Sequence, residues 1–266
     1  MQNVHRAALD CLENRDLEQK LALATALHAD WRAGRLAVGT DDFPRGDLAG
    51  RPERPPLVAP SQLPRRGIGT AEGHAALIHA VAHIEFNAIN LACDAVSRFQ
   101  GMPEDYYADW IRVAAEEAYH FSLLQKRLHD LGHTYGDFPA HDGLWDLARK
   151  TAHDVLLRMV LVPRVMEARG LDVTPGMVER FRQVGDQQTV EALEIILRDE
   201  VGHVAAGSRW FHHVCAQRGL DAEETYFDIL REHFNNGIRC PLHTDARRRA
   251  GFSESELGRL EALCKS

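Results

Sequence analysis

Two tetrapeptides of the form Glu-x-x-His are the clearest candidates for chemistry in this chain. One is Glu117-Ala-Tyr-His120 and the other is Glu200-Val-Gly-His203. In an α-helix, residues three apart lie on one face, so each motif can direct a carboxylate and an imidazole at one point. A single motif of this kind is more often a solvated pair on a helix surface. Two copies in one chain favour metal binding.

Both motifs lie within apolar stripes of helical spacing, and Glu85 and Glu167 occupy similar stripes in two other segments. A buried charge without a partner costs several kcal/mol, and clustered carboxylates repel one another. Two divalent cations would resolve both problems. The ligand types suit iron, with manganese as an alternative. The sequence therefore predicts a di-metal centre with six ligands: Glu85, Glu117, His120, Glu167, Glu200 and His203.

The elements that position these residues are predicted to be helices throughout, with no strand pattern. Capping residues and glycines predict helices over residues 4–14, 16–33, 71–99, 103–131, 144–169, 175–184, 187–218 and 221–234, and a short one after Ser253. Gly170 is expected to end the fifth helix, and Pro175 to begin the sixth. The first part of 144–169 is a candidate for a separate short helix. Residues 235–253 are expected to form a loop.

Residues 39–69 differ from the rest because they are rich in proline and arginine. Proline density disfavours helices and sheet ladders, so an extended wrapping segment or a linker is expected. Three regions follow from this pattern: N-terminal helices with the wrapping segment (1–69), a metal-binding bundle (70–219) and a helical tail packed on the bundle (220–266).

Four short sequence segments resemble those of a known family: Ala82-His-Ile-Glu85, Glu116-Glu-Ala-Tyr-His-Phe121, Val165-Met-Glu-Ala-Arg-Gly-Leu-Asp172 and Asp199-Glu-Val-Gly-His203. The chain from about Gly73 to Arg218 is similar to the bacterial ferritin-like family labelled domain of unknown function 455. The resemblance implies an all-α, ferritin-like four-helix bundle with a crossover connection, and the same six residues as ligands. Its broader relatives include a di-iron tRNA hydroxylase, rubrerythrins and di-iron oxygenases.

The function expected from these features is a di-iron oxidoreductase that activates O2 or peroxide to hydroxylate or oxidise an unknown small substrate, with an electron donor. Two alternatives stay open: a non-catalytic iron-storage or structural bundle, and a tRNA-modifying hydroxylase. A rubrerythrin-like protein is disfavoured because no CxxC pair is present to build its rubredoxin module.

Composition narrows the possible partners. The formal net charge of −8 argues against general nucleic-acid binding. The run from Arg247 to Arg249 and the arginine-rich proline segment could each bind an anion such as RNA phosphate, but such arginines are more often paired or solvated. No apolar run reaches the length that spans a bilayer, and no signal peptide is evident, so a cytoplasmic location is expected. The five scattered cysteines predict no disulfide framework.

The sequence also predicts where several residues near the motifs lie. His79 and His83 point away from the face of Glu85, which predicts that they lie on the surface or support a ligand residue without binding the metal. Glu116 and Asp199 are expected either to be solvated or to support a ligand histidine. His212 and His213 are expected on the surface, and Pro163 is expected to bend the helix before Glu167. A pocket beside the metals is predicted among four small residues, unless Trp110 and Trp210 fill it: Ala88, Ala92, Ala114 and Gly207.

Overall fold

The fold is all-α, as predicted from the sequence. A computed structural model describes residues 1–40, 46, 49–63, 67–234 and 238–264. The helices, in chain order, are α1 (Val4–Glu13), α2 (Leu17–Arg32), α3 (Ala71–Arg98), α4 (Glu104–Asp130), α5 (Gly143–Lys150), α6 (Val155–Met159), a π-helical segment (Val160–Glu167), α7 (Ala168–Gln183), α8 (Gln187–Arg218), α9 (Ala222–His233), α10 (Thr244–Arg249) and α11 (Glu254–Leu263).

The predicted capping residues account for the helix starts. Thr70 Oγ1 accepts a hydrogen bond from Gly73 N at 3.0 Å and begins α3. Asp221 caps α9 in the same way, through Glu224 N. Such caps satisfy backbone N–H groups that the helix itself leaves unbonded, and each typically contributes about 1 kcal/mol. The boundaries read from these signals lie within a residue or two of the observed ones for most helices.

The prediction that Gly170 ends a helix and Pro175 begins another is wrong. The chain is helical without interruption from residue 155 to 183, with both residues inside α7. Leu171, Val178 and Phe181 form a buried stripe that continues past both positions. Burial of this stripe outweighs the hydrogen bond lost at Pro175 and the flexibility of Gly170, because tertiary packing overrides local propensity.

One short helix and a pair of two-residue strands were not predicted. Helix α10 lies within the expected loop 235–253, and its N-cap is His243, whose side chain accepts from Ala246 N. Histidine is not among the usual N-cap residues, so no capping signal marks the start of this helix in the sequence. Gln2–Asn3 (β1) and Leu36–Ala37 (β2) form a parallel pair. Two residues are too few to show a strand period. Much of 39–69 is irregular where described, with a single 3-10 turn at Pro60–Gln62.

The chain forms two compact units, each discontinuous in sequence. Unit 1 consists of residues 1–149 and 184–192, and unit 2 of residues 150–183 and 193–266. In unit 1, α3 packs along α4, while α1 covers α3 and α2 covers α4. Contrary to the expectation that no apolar run reaches the length of a bilayer, helix α3 is apolar and long enough to cross one, but 89% of its most apolar window is buried inside the protein. This burial is expected for the core helix of a soluble protein.

Asp186 ties the shorter piece of unit 1 to the longer one. Its carboxylate lies 2.6 Å from His74 Nε2 on α3 and accepts from Arg127 Nε on α4 at 3.1 Å. Burial alone would raise the pKa of Asp186, but hydrogen bonds from Thr189, His74 and Arg127 lower it. The ionised carboxylate therefore joins three parts of unit 1.

In unit 2, Cys240 and Cys264 form a disulfide with a Cα–Cα distance of 5.8 Å. The sequence predicted no disulfide framework, because the cysteines are odd in number and scattered. The pairing depends on tertiary structure: α10 and α11 pack together and bring two cysteines 24 positions apart into contact. Cys11, Cys93 and Cys215 are unbridged and buried.

Candidate metal site

Three of the predicted ligands lie together inside unit 1. Glu85 projects from α3, and Glu117 and His120 project from the same face of α4. His120 Nδ1 lies 3.2 Å from Glu85 Oε2 and 3.3 Å from Glu117 Oε2. One donor atom from each residue can be chosen so that all lie within 4.8 Å of one another. Glu85 is 3% exposed and the other two are fully buried, so water does not solvate this group.

The electrostatics of this cluster reflect two acids and one base removed from water. Burial, and then the neighbouring charge of Glu117, raise the pKa of Glu85 well above its usual range. Burial alone would lower the pKa of His120, but hydrogen bonds to Glu117 and Glu85 raise it to about 11. Without a metal, a protonated imidazole is therefore the positive charge that balances the two carboxyl groups.

Unit 2 holds the other three predicted ligands. Glu200 and His203 lie on α8, with His203 Nδ1 3.5 Å from Glu200 Oε1. The His203 side chain is fully buried and that of Glu200 is 12% exposed. Glu167 is the last residue of the π-helical segment. The second Glu-x-x-His motif thus forms the local pair expected from its spacing. The convergence of all six ligands on one centre stays a prediction of the sequence.

Pro163 lies inside the π-helical segment, where the sequence predicted a bend. A π-helix places an extra residue in a turn, and such segments are frequent at functional sites. A Cβ added at Gly207 on α8 would lie 2.3 Å from both Cβ and Cγ of Pro163. Only glycine permits this approach. The predicted open space at Gly207 is therefore wrong, because the proline ring fills it.

Arg164 is a residue that the sequence analysis missed. Its side chain is fully buried in unit 2, and Nη2 donates to Glu256 Oε1 on α11 at 2.6 Å. The guanidinium carbon lies 4.4–4.7 Å from three ring centroids, those of Phe211, Tyr226 and Phe252. This contact fixes the π-helical segment that carries Glu167. The available signal was an arginine within the apolar run 159–165.

The surface position considered for His79 and His83 is wrong, because both are buried. His79 Nε2 accepts from Gly136 N at 2.9 Å, and His83 Nδ1 lies 2.8 Å from the Tyr135 hydroxyl. Helix α3 is packed on nearly all sides, so a position opposite Glu85 is still inside the protein. These histidines hold the loop that follows α4.

Several other residues named in the sequence analysis form ion pairs. Glu116 accepts from Arg112, and Asp199 accepts from Arg198. Arg247 is buried and donates to Asp172 at 2.7 Å, while Arg248 pairs with Asp245 and Glu254. His212 is exposed as expected, and His213 is half-buried. The side chains of Trp110 and Trp210 are buried, as are Ala88, Ala92 and Ala114.

Comparison with known proteins places the chain in a family. The profile described as protein of unknown function (DUF455) matches residues 13–258. A protein of Haemophilus influenzae, described as uncharacterized, is 44% identical over 257 residues, which cover 92% of this chain and 89% of that protein. No solved structure matches the chain. The family profile spans nearly the whole sequence, and the chain therefore belongs to the family described as protein of unknown function DUF455.

Proposed function

We propose that this protein binds two metal ions, preferentially iron, and acts as a cytoplasmic oxidoreductase that activates O2 or peroxide. The observation that supports the proposal is the buried cluster of Glu85, Glu117 and His120. Their donor atoms approach one another closely in a region without solvent. Acidic groups cluster in this way at the surface without consequence, but in a core they need a compensating cation.

The donor types favour iron or manganese. The cluster offers carboxylate oxygens and an imidazole nitrogen and no thiolate, and this set suits borderline and hard divalent metals. His120 must lose its proton to bind a metal, and the metal then replaces the imidazolium as the balancing charge. The residues present therefore fit the group that the ferritin-like resemblance implies.

Glu167, Glu200 and His203 are proposed as the remaining ligands. Three features support this: the Glu-x-x-His motif is repeated, His203 Nδ1 lies 3.5 Å from Glu200 Oε1, and the π-helical segment ends at Glu167. A bound iron pair would supply two electrons for the reduction of O2 or peroxide. The protein's own residues hold the metals, exclude water and, at His120 Nδ1, store the proton that metal binding releases.

Metal analysis tests the proposal, with neighbouring acids as matched controls. The protein is purified from iron-supplied cells, alongside Glu117→Gln and Glu116→Gln. These residues are adjacent on α4, but Glu117 is fully buried in the cluster and Glu116 is half-exposed beside Arg112. We expect about two iron ions per wild-type chain, an unchanged content in Glu116→Gln and a clear loss in Glu117→Gln. Equal metal content in the two variants would contradict the assignment of Glu117 as a metal ligand.

Oxygen consumption separates the enzyme from the storage or structural alternative. The protein is loaded anaerobically with iron(II), mixed with O2 and then supplied with a chemical reductant. Repeated O2 uptake in the presence of reductant supports an oxidoreductase. A single round of oxidation with retained iron(III) supports storage. Arg247 and Arg248 are engaged in ion pairs, so this basic run does not favour the tRNA-modifying alternative.

A further inference from the structure

Unit 1 contains a cavity of about 100 Å³, on a side of α3 other than the one that carries Glu85. Asn90 lines it, and lies five positions after Glu85, about 140° around the helix. Arg51 and Arg149 border the cavity, with Asp142 and Trp145. The metal proposal uses none of these residues.

A buried lysine fixes the orientation of the Asn90 amide. Lys20 is fully buried, and its Nζ donates to three acceptors: Cys11 O at 2.9 Å, Leu12 O at 2.8 Å and Asn90 Oδ1 at 2.6 Å. An ammonium group has three donors, whereas a neutral amine has two. Three acceptors therefore indicate a charged lysine, although burial lowers its pKa. Because an ammonium only donates, the Asn90 atom that faces it must be oxygen.

The other end of that amide, Nδ2, is consequently a donor. Asn90 is 1% exposed and lines the cavity, and its Nδ2 has no hydrogen-bond partner among the residues that the structure describes. A buried donor without a partner costs about 1–3 kcal/mol. An acceptor atom of a ligand in the cavity would remove this cost.

The charges around the cavity favour an anion. Arg51 and Arg149 stand at its border, with the Lys20 ammonium behind Asn90. Asp142 also lines the cavity and carries the opposite charge, and Asp146 forms an ion pair with Arg149. Three cations and two carboxylates leave one positive charge. The volume suits a phosphate ion or a short carboxylate rather than a nucleotide, which needs a pocket of several hundred Å³.

We propose that this cavity binds a small oxyanion, a carboxylate or phosphate group, which accepts hydrogen bonds from Asn90 Nδ2 and from the Arg51 and Arg149 guanidiniums. The aromatic face of Trp145 forms the wall for any short apolar part of the same molecule. Guanidinium groups match the geometry of both oxyanions, so the two classes share this chemistry.

The test measures binding of inorganic phosphate and of malonate to the full chain, by calorimetry and by thermal shift, with sodium chloride at matched ionic strength as the control. Asn90→Asp is the main variant: its carboxylate keeps the contact with Lys20 and replaces the donor with an acceptor. Arg51→Gln and Arg149→Gln remove border charges without touching the core. Arg6→Gln is the matched control, an exposed arginine on α1 that pairs with Asp10.

We expect phosphate or malonate to bind the wild type and Arg6→Gln equally, and tenfold or more weakly to Asn90→Asp and to each border variant. The anion that binds more tightly identifies the class of ligand. Absence of binding by both anions would overturn the proposal. Wild-type affinity in Asn90→Asp, or in both border variants should Asn90→Asp not fold, would also overturn it.

Discussion

Removal of the Glu256 carboxylate should destabilise unit 2 strongly. In Glu256→Ala, the fully buried guanidinium of Arg164 loses the acceptor that lies 2.6 Å from its Nη2. Three aromatic rings surround the guanidinium but offer only their faces. The substitution therefore leaves a buried cation whose Nε and Nη1 already have no hydrogen-bond partner among the described residues.

The expected cost comes from two contributions. Breaking a buried ion pair by removal of one partner typically costs about 3–5 kcal/mol. Glu256 also accepts from Ser253 N at 2.8 Å in the capping box of α11, and the loss of this hydrogen bond adds about 1 kcal/mol. The free energy of unfolding should therefore fall by ~4 kcal/mol or more. The double substitution Arg164→Met with Glu256→Leu should recover most of it, because no charge is then left buried.

Denaturant unfolding followed by circular dichroism and by tryptophan fluorescence measures this difference. The matched control is Glu254→Ala, two residues away on α11, where an exposed carboxylate pairs with Arg248 and little change is expected. If Glu256→Ala unfolds at the same denaturant concentration as Glu254→Ala, the Arg164 charge is satisfied in another way and the reasoning fails.

Three further predictions concern the metal site. Gly207→Ala should lower the free energy of unfolding by about 1–3 kcal/mol and lower the iron content, because the new Cβ meets the ring of Pro163 at 2.3 Å. The control Gly176→Ala, whose new Cβ meets no atom within 4 Å, should change neither quantity. Metal affinity, measured by calorimetry in buffers of different ionisation enthalpy, should rise as pH rises. The raised pKa of Glu85 and the His120 pKa of about 11 mean that the metal-free site holds protons which the metal must displace. A metal affinity that does not change with pH would contradict the assignment of Glu85 and His120 as ligands. By the same linkage, the contribution of these two groups to the stability of the metal-free protein is fully present below their unfolded pKa values and declines as pH rises toward 11. Glu200→Ala should lower metal content more than it lowers the melting temperature of the metal-free protein, since the loss of one acid relieves repulsion; a markedly less stable metal-free variant would show that Glu200 bonds structurally.

The helices were predictable because their ends carry local signals. Thr70, Asp221 and Ser253 cap helices through their own side chains, so a few residues of sequence suffice. The contact of Glu117 with His120 also follows from helical spacing alone. The approach of Glu85 to this pair does not follow from any single helix. It was inferred from the apolar stripes, which show where each helix must be buried.

What the sequence concealed depends on tertiary contacts. Helical geometry places His79 away from Glu85, but α3 is buried on most of its surface, and its continuous apolar composition was the overlooked signal. Lys20 and Arg164 carry ordinary charges whose burial requires acceptors or rings distant in sequence. Pro175 stays helical because the packing of α7 outweighs a local rule.

The discontinuity of unit 1 has a consequence for synthesis on the ribosome. Asp186, which joins His74 and Arg127, belongs to residues 184–192, so unit 1 is incomplete when residue 149 has been made. At about 5–20 residues per second, the closing segment follows roughly 2–9 s later. During that interval the nascent chain exposes apolar surface that the last piece will cover. A ribosome stalled between codons 150 and 184 should therefore yield a nascent chain whose residues 1–149 are cleaved readily by proteases. A stall that leaves residue 192 outside the exit tunnel should protect residues 1–149.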